Sequence, residues 1–232
     1  MATIKSKNVA FQLISDHHFE YCPLSPEELG SESRKRALIY ADQLVPTARY
    51  LLIAGDICKA AVQHYVLFLK ALYMKRDGWD NIFLVLGETE YMAQSHMSYL
   101  WRRLERWKAL APGEDKNYPA DARETQQQKD KLIILNRTAG SLEGGKIVVM
   151  GCTLWSRLRD DHRYLNRPDR SFDGWVGIPG STAQAHRDRF EEDLGWLRGC
   201  VERVRRTNPE AKILIVTHCK GFFLIHTKRV AC

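Results

Sequence analysis

"YLLIAGDIC", residues 50–58, decides how this chain is read. Tyr50 to Ala54 form an unbroken apolar run of strand length, with none of the polar alternation of a half-solvated strand. Such a run belongs to a buried, central strand. It closes on Gly55 and Asp56, so a carboxylate stands where the strand ends.

Outward from that run the pattern repeats. "HYVLFLKALYMK" (64–75) is helical, and "NIFLVLG" (81–87) is a second buried strand that ends on Glu88 and Thr89. Toward the N-terminus, "FQLISDHHFE" (11–20) alternates Phe11, Leu13 and Ser15 with Gln12, Ile14 and Asp16. Read as a strand, it puts Asp16 and His18 on one face and His17 on the other. "SPEEL" from Ser25 has a serine cap, a first-turn proline and glutamates, the signature of a helix start.

Toward the C-terminus, a helix carries Met97, Leu100, Trp101, Leu104 and Trp107 on one stripe, which reads as core. Residues 111–131 are polar and aperiodic, and are expected to form a mobile loop inserted within one domain. Strand material resumes in "LIIL" (132–135) and "KIVVMG" (146–151). A long helix follows with Phe190, Leu194, Leu197, Val201 and Val204 in register, and "KILIVT" (212–217) is the last strand. Strands alternating with helices predict an α/β fold with helices covering the sheet. "GSLEGGK" (140–146) has the spacing of a phosphate-binding loop, but Ile147 replaces the Ser or Thr that would meet magnesium, and a strand follows where a helix should start. Its glycines read as a hairpin turn.

Composition sets the outer limits. The chain of 232 residues is 44% hydrophobic and 27% charged, which suits one soluble domain, residues 1–232. No signal-like or bilayer-spanning apolar run is present, so a cytosolic or nuclear location without membrane association is the default expectation. Six scattered cysteines (Cys22, Cys58, Cys152, Cys200, Cys219, Cys232) contain no Cys-x-x-Cys pair and are expected to be reduced. The net charge of +7 and pI near 9.1 suit an anionic partner. The basic clusters "RKR" (34–36), "WRRLERWK" (101–108) and "RVRR" (203–206) read as solvated helix faces first. Nucleic acid is therefore admitted by charge but supported by no motif.

The residues that follow the apolar runs form a set. The first gives Asp16 and His18, the second Asp56, the third Glu88 and Thr89, and the last His218. The carboxyl ends of strands are where α/β sheets bind ligands, and four strands delivering Asp, His, Asp, Glu and His to one edge make a metal-site constellation. A carboxylate on a central strand, such as Asp56, could bridge two ions about 3.5–4 Å apart.

In this order the motifs resemble those of the calcineurin-like metallophosphoesterases: Asp-x-His as "SDHHFE" (15–20), Gly-Asp as "AGDIC" (54–58), Gly-Asn-His-Asp/Glu as "LGETEY" (86–91), and the lone His as "VTHCK" (216–220). "VVMGCTLWS" (148–156) and "AHRDRFEEDLGWL" (185–197) are similar to segments of fungal members, and the resemblance runs from about residue 9 to about residue 220. It implies a two-layer β-sandwich flanked by helices and a dinuclear centre hydrolysing a phosphoester substrate. Asp16, His18 and Asp56 would face one divalent ion, and Asp56, Glu88 and His218 the other. Mn²⁺, Mg²⁺ and Fe²⁺ suit the negative donor set, with Zn²⁺ as a further candidate. His17 would be a packing substitution, and His186 a surface, capping or site residue.

Two departures qualify the resemblance. The family's Asn-His pair is Glu88-Thr89 here. Glu88 can still offer an oxygen, but Thr89 cannot act as the family histidine does in helping the leaving group depart. No catalytic acid is therefore assigned. The Gly-His-x-His motif, which gives each metal an imidazole, is missing, and only 15 residues follow Thr217. His226 in "LIHTKR" (224–229) lies eight residues beyond His218 and imitates the motif poorly. The reading is thus of a C-terminally incomplete domain with an atypical tail (220–232), weakened metal sites and an exposed edge at strand 212–217 or its neighbour. The alternative is a non-catalytic phosphoesterase-like remnant that serves, if at all, as a binding module.

Overall fold

A computed structural model describes residues 2–6, 9–19, 32–58, 63–75, 77–92, 131–160, 178 and 181–219. The expected helix start at Ser25, the stripe from Met97 to Trp107, the 111–131 loop up to residue 130, Cys22, and the tail with His226 and Cys232 lie outside them.

Two sheets form the frame. The larger has five strands in spatial order β1 (Ala2–Ser6), β2 (Val9–Ile14), β3 (Tyr50–Ala54), β4 (Asn81–Val85) and β5 (Leu132–Ile134). β1 runs antiparallel to β2, and the remaining pairs are parallel. The parallel steps require crossovers. α1 (Glu32–Gln43) lies between β2 and β3, and α2 (Gln63–Tyr73) between β3 and β4. The smaller sheet has the order β6 (Thr138–Leu142), β7 (Ile147–Cys152), β8 (Lys212–Thr217), with β6 antiparallel and β8 parallel to β7. α4 (Ala183–Thr207) leads into β8, capped by Thr182, whose side chain accepts from the Ala185 N–H. The short α3 (Glu88–Tyr91) follows β4.

The central strand shows why its sequence is apolar throughout. Every residue of β3 is buried. Tyr50, Leu52 and Ala54 join Phe83, Val85, Val149 and Val216 in an apolar layer between the two sheets. Leu51 and Ile53 turn the other way, into a larger core with Tyr65, Phe68 and Leu69 of α2. The same core takes in Phe190, Leu194 and Leu197 of α4, with Val201 and Val204 packed at its margin. The α/β sandwich flanked by helices is thus the architecture expected from the sequence.

Several local readings hold. The segment 140–146 is a hairpin turn: β6 and β7 pair antiparallel around a short 3₁₀ turn at Glu143–Gly145. Cys58, Cys152, Cys200 and Cys219 are free thiols. Among the described residues β8 pairs with β7, and no helix is long and apolar enough to cross a membrane.

Other details differ from expectation. β1, a largely polar strand, carries no apolar signal and was not anticipated. Gln12 alternates as a polar-face residue, yet it is fully buried. Its amide donates to Val45 O at 3.1 Å, and its oxygen accepts from the Thr47 N–H at 3.0 Å and the Trp79 indole at 2.8 Å. Burial is tolerated because these bonds satisfy the amide.

Candidate metal centre

All five sequence-predicted ligands stand at the carboxyl ends of parallel strands. β2 and β3 end at Ile14 and Ala54, but their pairing continues: Asp16 N–H donates to Gly55 O, His18 N–H to Asp56 O, and Phe19 N–H to Ile57 O, at 2.9–3.1 Å. Asp16 and His18 therefore meet Asp56 through paired loops. The two-residue alternation read from the sequence does not apply there, because Asp16 (φ 53°) and His18 (φ 45°) both occupy the left-handed region, as does Asp56 (φ 54°). That conformation is uncommon for residues other than glycine, though Asp and His are among those that enter it most readily. His17 turns away and packs edge-on to Tyr40, with ring centroids 5.1 Å apart.

The donors fall into two groups. Asp16, His18 and Asp56 can each bring one ligand atom within 4.8 Å of the others, and so can Glu88, His218 and Cys219. Asp56 joins the groups. Its Oδ2 lies 3.7 Å from His18 Nε2, and its Oδ1 lies 3.4 Å from His218 Nε2. His218 Nε2 also lies 2.8 Å from Glu88 Oε2. The other ring nitrogen, Nδ1, is 2.7 Å from Ala54 O. A carbonyl only accepts, so Nδ1 carries the proton and Nε2 is turned to the carboxylates, the tautomer and orientation a metal ligand needs.

The electrostatics agree. Burial disfavours a charged His218, but Asp56 and Glu88 outweigh it and push the imidazole up to about 11. Burial raises Asp56, and hydrogen bonds from His218 and Thr89 more than reverse this, leaving it below the usual range. Glu88 is lowered chiefly by its bond to His218. Burial and Glu88 push the Cys219 thiol up. Two carboxylates, Asp56 and Glu88, flank the His218 imidazole and favour its protonated form.

Two glycines shape this cradle. A Cβ on Gly87 would stand 2.1 Å from Asp56 Oδ1, and one on Gly55 would stand 2.6 Å from His218 Nδ1. Space for the Asp56 carboxylate and the His218 imidazole exists because neither residue has a side chain. The donor set, the fixed tautomer and the cradle fit divalent cations.

Glu90 is a residue beneath the site that sequence reasoning missed. It is fully buried, and its carboxylate accepts from the N–H groups of Gly87 (2.7 Å), Asp56 (2.9 Å), Ile57 (2.7 Å) and Cys58 (3.3 Å). Burial, then Asp56, push it up to about 7 against the pull of these donors. It clamps the Asp56 loop to the Gly87 turn. The acidic end of the "LGETEY" motif was the available signal. Thr89, also buried, adds an N–H bond to Asp56 Oδ1 at 2.9 Å. Cys219 was read only as a reduced thiol. It enters because the chain bends after β8, where the N–H groups of both His218 and Cys219 reach Thr153 O. His186 is a core residue: it is buried, packs edge-on to Trp155, and its Nε2 is 3.0 Å from Ser156 O.

No family model matches the sequence, and no curated protein matches it significantly. Among solved structures, the fold is similar to that of phosphopantetheinyl hydrolase (PptH) from Mycobacterium tuberculosis, with a TM-score of 0.52 and 13% identity over 90% of this chain and 68% of that one. At that identity the likeness is one of fold alone, an α/β sandwich.

Proposed function

We propose that this chain is a metal-dependent phosphoester hydrolase. The observation that carries the reading is Asp56, which turns one carboxylate oxygen toward His18 and the other toward His218 and so faces two donor groups at once. Asp16, His18 and Asp56 would hold one divalent ion, and Asp56, Glu88 and His218 the other. Mn²⁺, Mg²⁺, Fe²⁺ and Zn²⁺ are the candidates. When bound, such ions supply charge neutralisation for phosphoryl oxygens and lower the pKa of water.

The chain's own residues do the rest. Glu90 holds the Asp56 main chain, the Thr89 N–H bonds the Asp56 carboxylate, and Ala54 O fixes the imidazole of His218. Preorganisation of this kind removes reorganisation from the reaction step. No protonatable side chain stands at Thr89 to assist a departing alkoxide. The site therefore suits esters whose leaving groups need no proton, and its activity on other esters is impaired.

Turnover of an aryl and an alkyl phosphoester by the Mn²⁺-loaded chain tests this. Aryl hydrolysis should dominate by about 10²–10⁴, the usual worth of general acid help. Thr89→His should raise alkyl turnover more than aryl turnover. An equal effect on both would remove the leaving-group argument. Metal loading with no hydrolysis of either ester would favour the alternative, a phosphoesterase-like binding module, for which the buried Thr89 is the specific support.

A further inference from the structure

We infer that Cys219 is a metal ligand, making the Glu88–His218 side of the centre a mixed carboxylate, imidazole and thiolate site that selects thiophilic divalent ions. This deepens the metal-centre reading and rests on it. Three observations support it. Cys219 Sγ lies 3.5 Å from Glu88 Oε2, and Glu88 Oε2 lies 2.8 Å from His218 Nε2, so three different ligand types converge on one point. All three can present a donor atom within 4.8 Å of the others. His218 and Cys219 are sequence neighbours, which along a regular strand would face opposite ways. Here both N–H groups bond Thr153 O, at 3.3 and 3.1 Å, and the bend beyond β8 turns both side chains to the same side.

The chemical consequence is a difference between the two halves. Asp16, His18 and Asp56 offer two carboxylates and one imidazole, and Mn²⁺, Mg²⁺ and Fe²⁺ accept such donors. A thiolate adds a soft ligand that favours Zn²⁺, and Cd²⁺ or Co²⁺ as its probes, over Mn²⁺ and Mg²⁺. Ion binding releases the thiol proton to solvent as the sulfur–metal bond forms.

Titration of the metal-free chain with Co²⁺ provides a readout independent of turnover. The parent should show visible ligand-field bands together with a near-ultraviolet thiolate-to-cobalt charge-transfer band. Cys219→Ser should keep the ligand-field bands and lose the charge-transfer band. Its Zn²⁺ affinity should fall at least about 10–100-fold, the loss that even outer partners of metal ligands produce, while Mn²⁺ affinity changes little. Cys219→Ala provides a second variant, and Cys200→Ser on α4 should retain the charge-transfer band. Ligand-field bands without charge transfer in the parent, or charge transfer surviving in both Cys219 variants, would overturn the assignment and leave the metal centre standing. Absence of any Co²⁺ binding by the parent would overturn both.

Discussion

Asp16 and His18 come to the proposed metal centre on a loop whose backbone is left-handed at both residues, whereas His218 arrives at the end of β8 with its ring pinned to Ala54 O. The first side stores its order in the main chain, at a cost of about 1–3 kcal/mol for each non-glycine residue held there. The second side is ordered by side-chain hydrogen bonds. Exposure does not follow the same division: the His18 side chain is 32% exposed, and in the second half that of His218 is only 6% but that of Glu88 is 40%. A half ordered by its main chain thus faces a half ordered by hydrogen bonds across Asp56. The two should respond differently to perturbation.

The largest expected effect comes from the residue they share. Asp56→Asn should cost at least about 100-fold in metal affinity and empty both halves, given that even outer partners of ligands are worth 10–100-fold. Asp16→Asn should empty only the first. Elemental analysis after Mn²⁺ and Zn²⁺ loading separates the cases, with Asp188→Asn on α4 as a control. Equal metal content in Asp56→Asn and the parent would dissolve the comparison altogether.

Next is the cradle. Gly87→Ala drives a Cβ against Asp56 Oδ1, so overpacking should cost about 1–3 kcal/mol in denaturant unfolding and weaken both halves together. Gly195→Ala on α4 meets nothing within 4 Å and should raise stability by about 0.5–1 kcal/mol with metal binding unchanged. Unchanged stability and metal binding in Gly87→Ala would show that the Asp56 loop yields to the added methyl group.

A pH dependence sharpens the hydrogen-bonded half. His218 is held at about 11 in the metal-free chain, above its ordinary 6.5, so its contribution to stability is fully present below pH 6.5 and is lost as pH rises through 11. A cation must displace that proton and, when sulfur binds too, the proton of the Cys219 thiol. Affinity of the second half should therefore rise about a hundredfold per pH unit between pH 7 and 9, and about tenfold in Cys219→Ser. Calorimetric titration in buffers of different ionisation heat would count the protons released, and a pH-independent affinity with no release would remove His218 from the ligand set.

Much of this molecule was legible because its strands are parallel and doubly covered. Tyr50–Ala54 and Asn81–Val85 announce themselves as apolar runs, and the polar residue that ends each run sits where the sheet opens to a ligand. What stayed hidden depends on contacts remote in sequence. Glu90 is one acidic residue among several until the Asp56 loop is folded over it, 34 positions away in the chain. Gln12 obeys the alternation of a surface strand and is buried because Val45, Thr47 and Trp79 happen to complete its bonding. Cys219 follows a strand, and only the bend after β8, held by Thr153 O, shows which way it faces. The polar β1 has no periodic signal, since pairing with β2 uses its backbone.

The Glu90 clamp carries a consequence for time as well as for shape. Gly87, Asp56, Ile57 and Cys58 lie in connecting loops, where main-chain amides ordinarily trade hydrogen with solvent quickly. Here one carboxylate holds all four, and none can be released without disturbing the rest. Their deuterium uptake should be as slow as that of β3 and β4 and should occur together. The floor of the site would then open only in the same rare events that open the sheet beneath it.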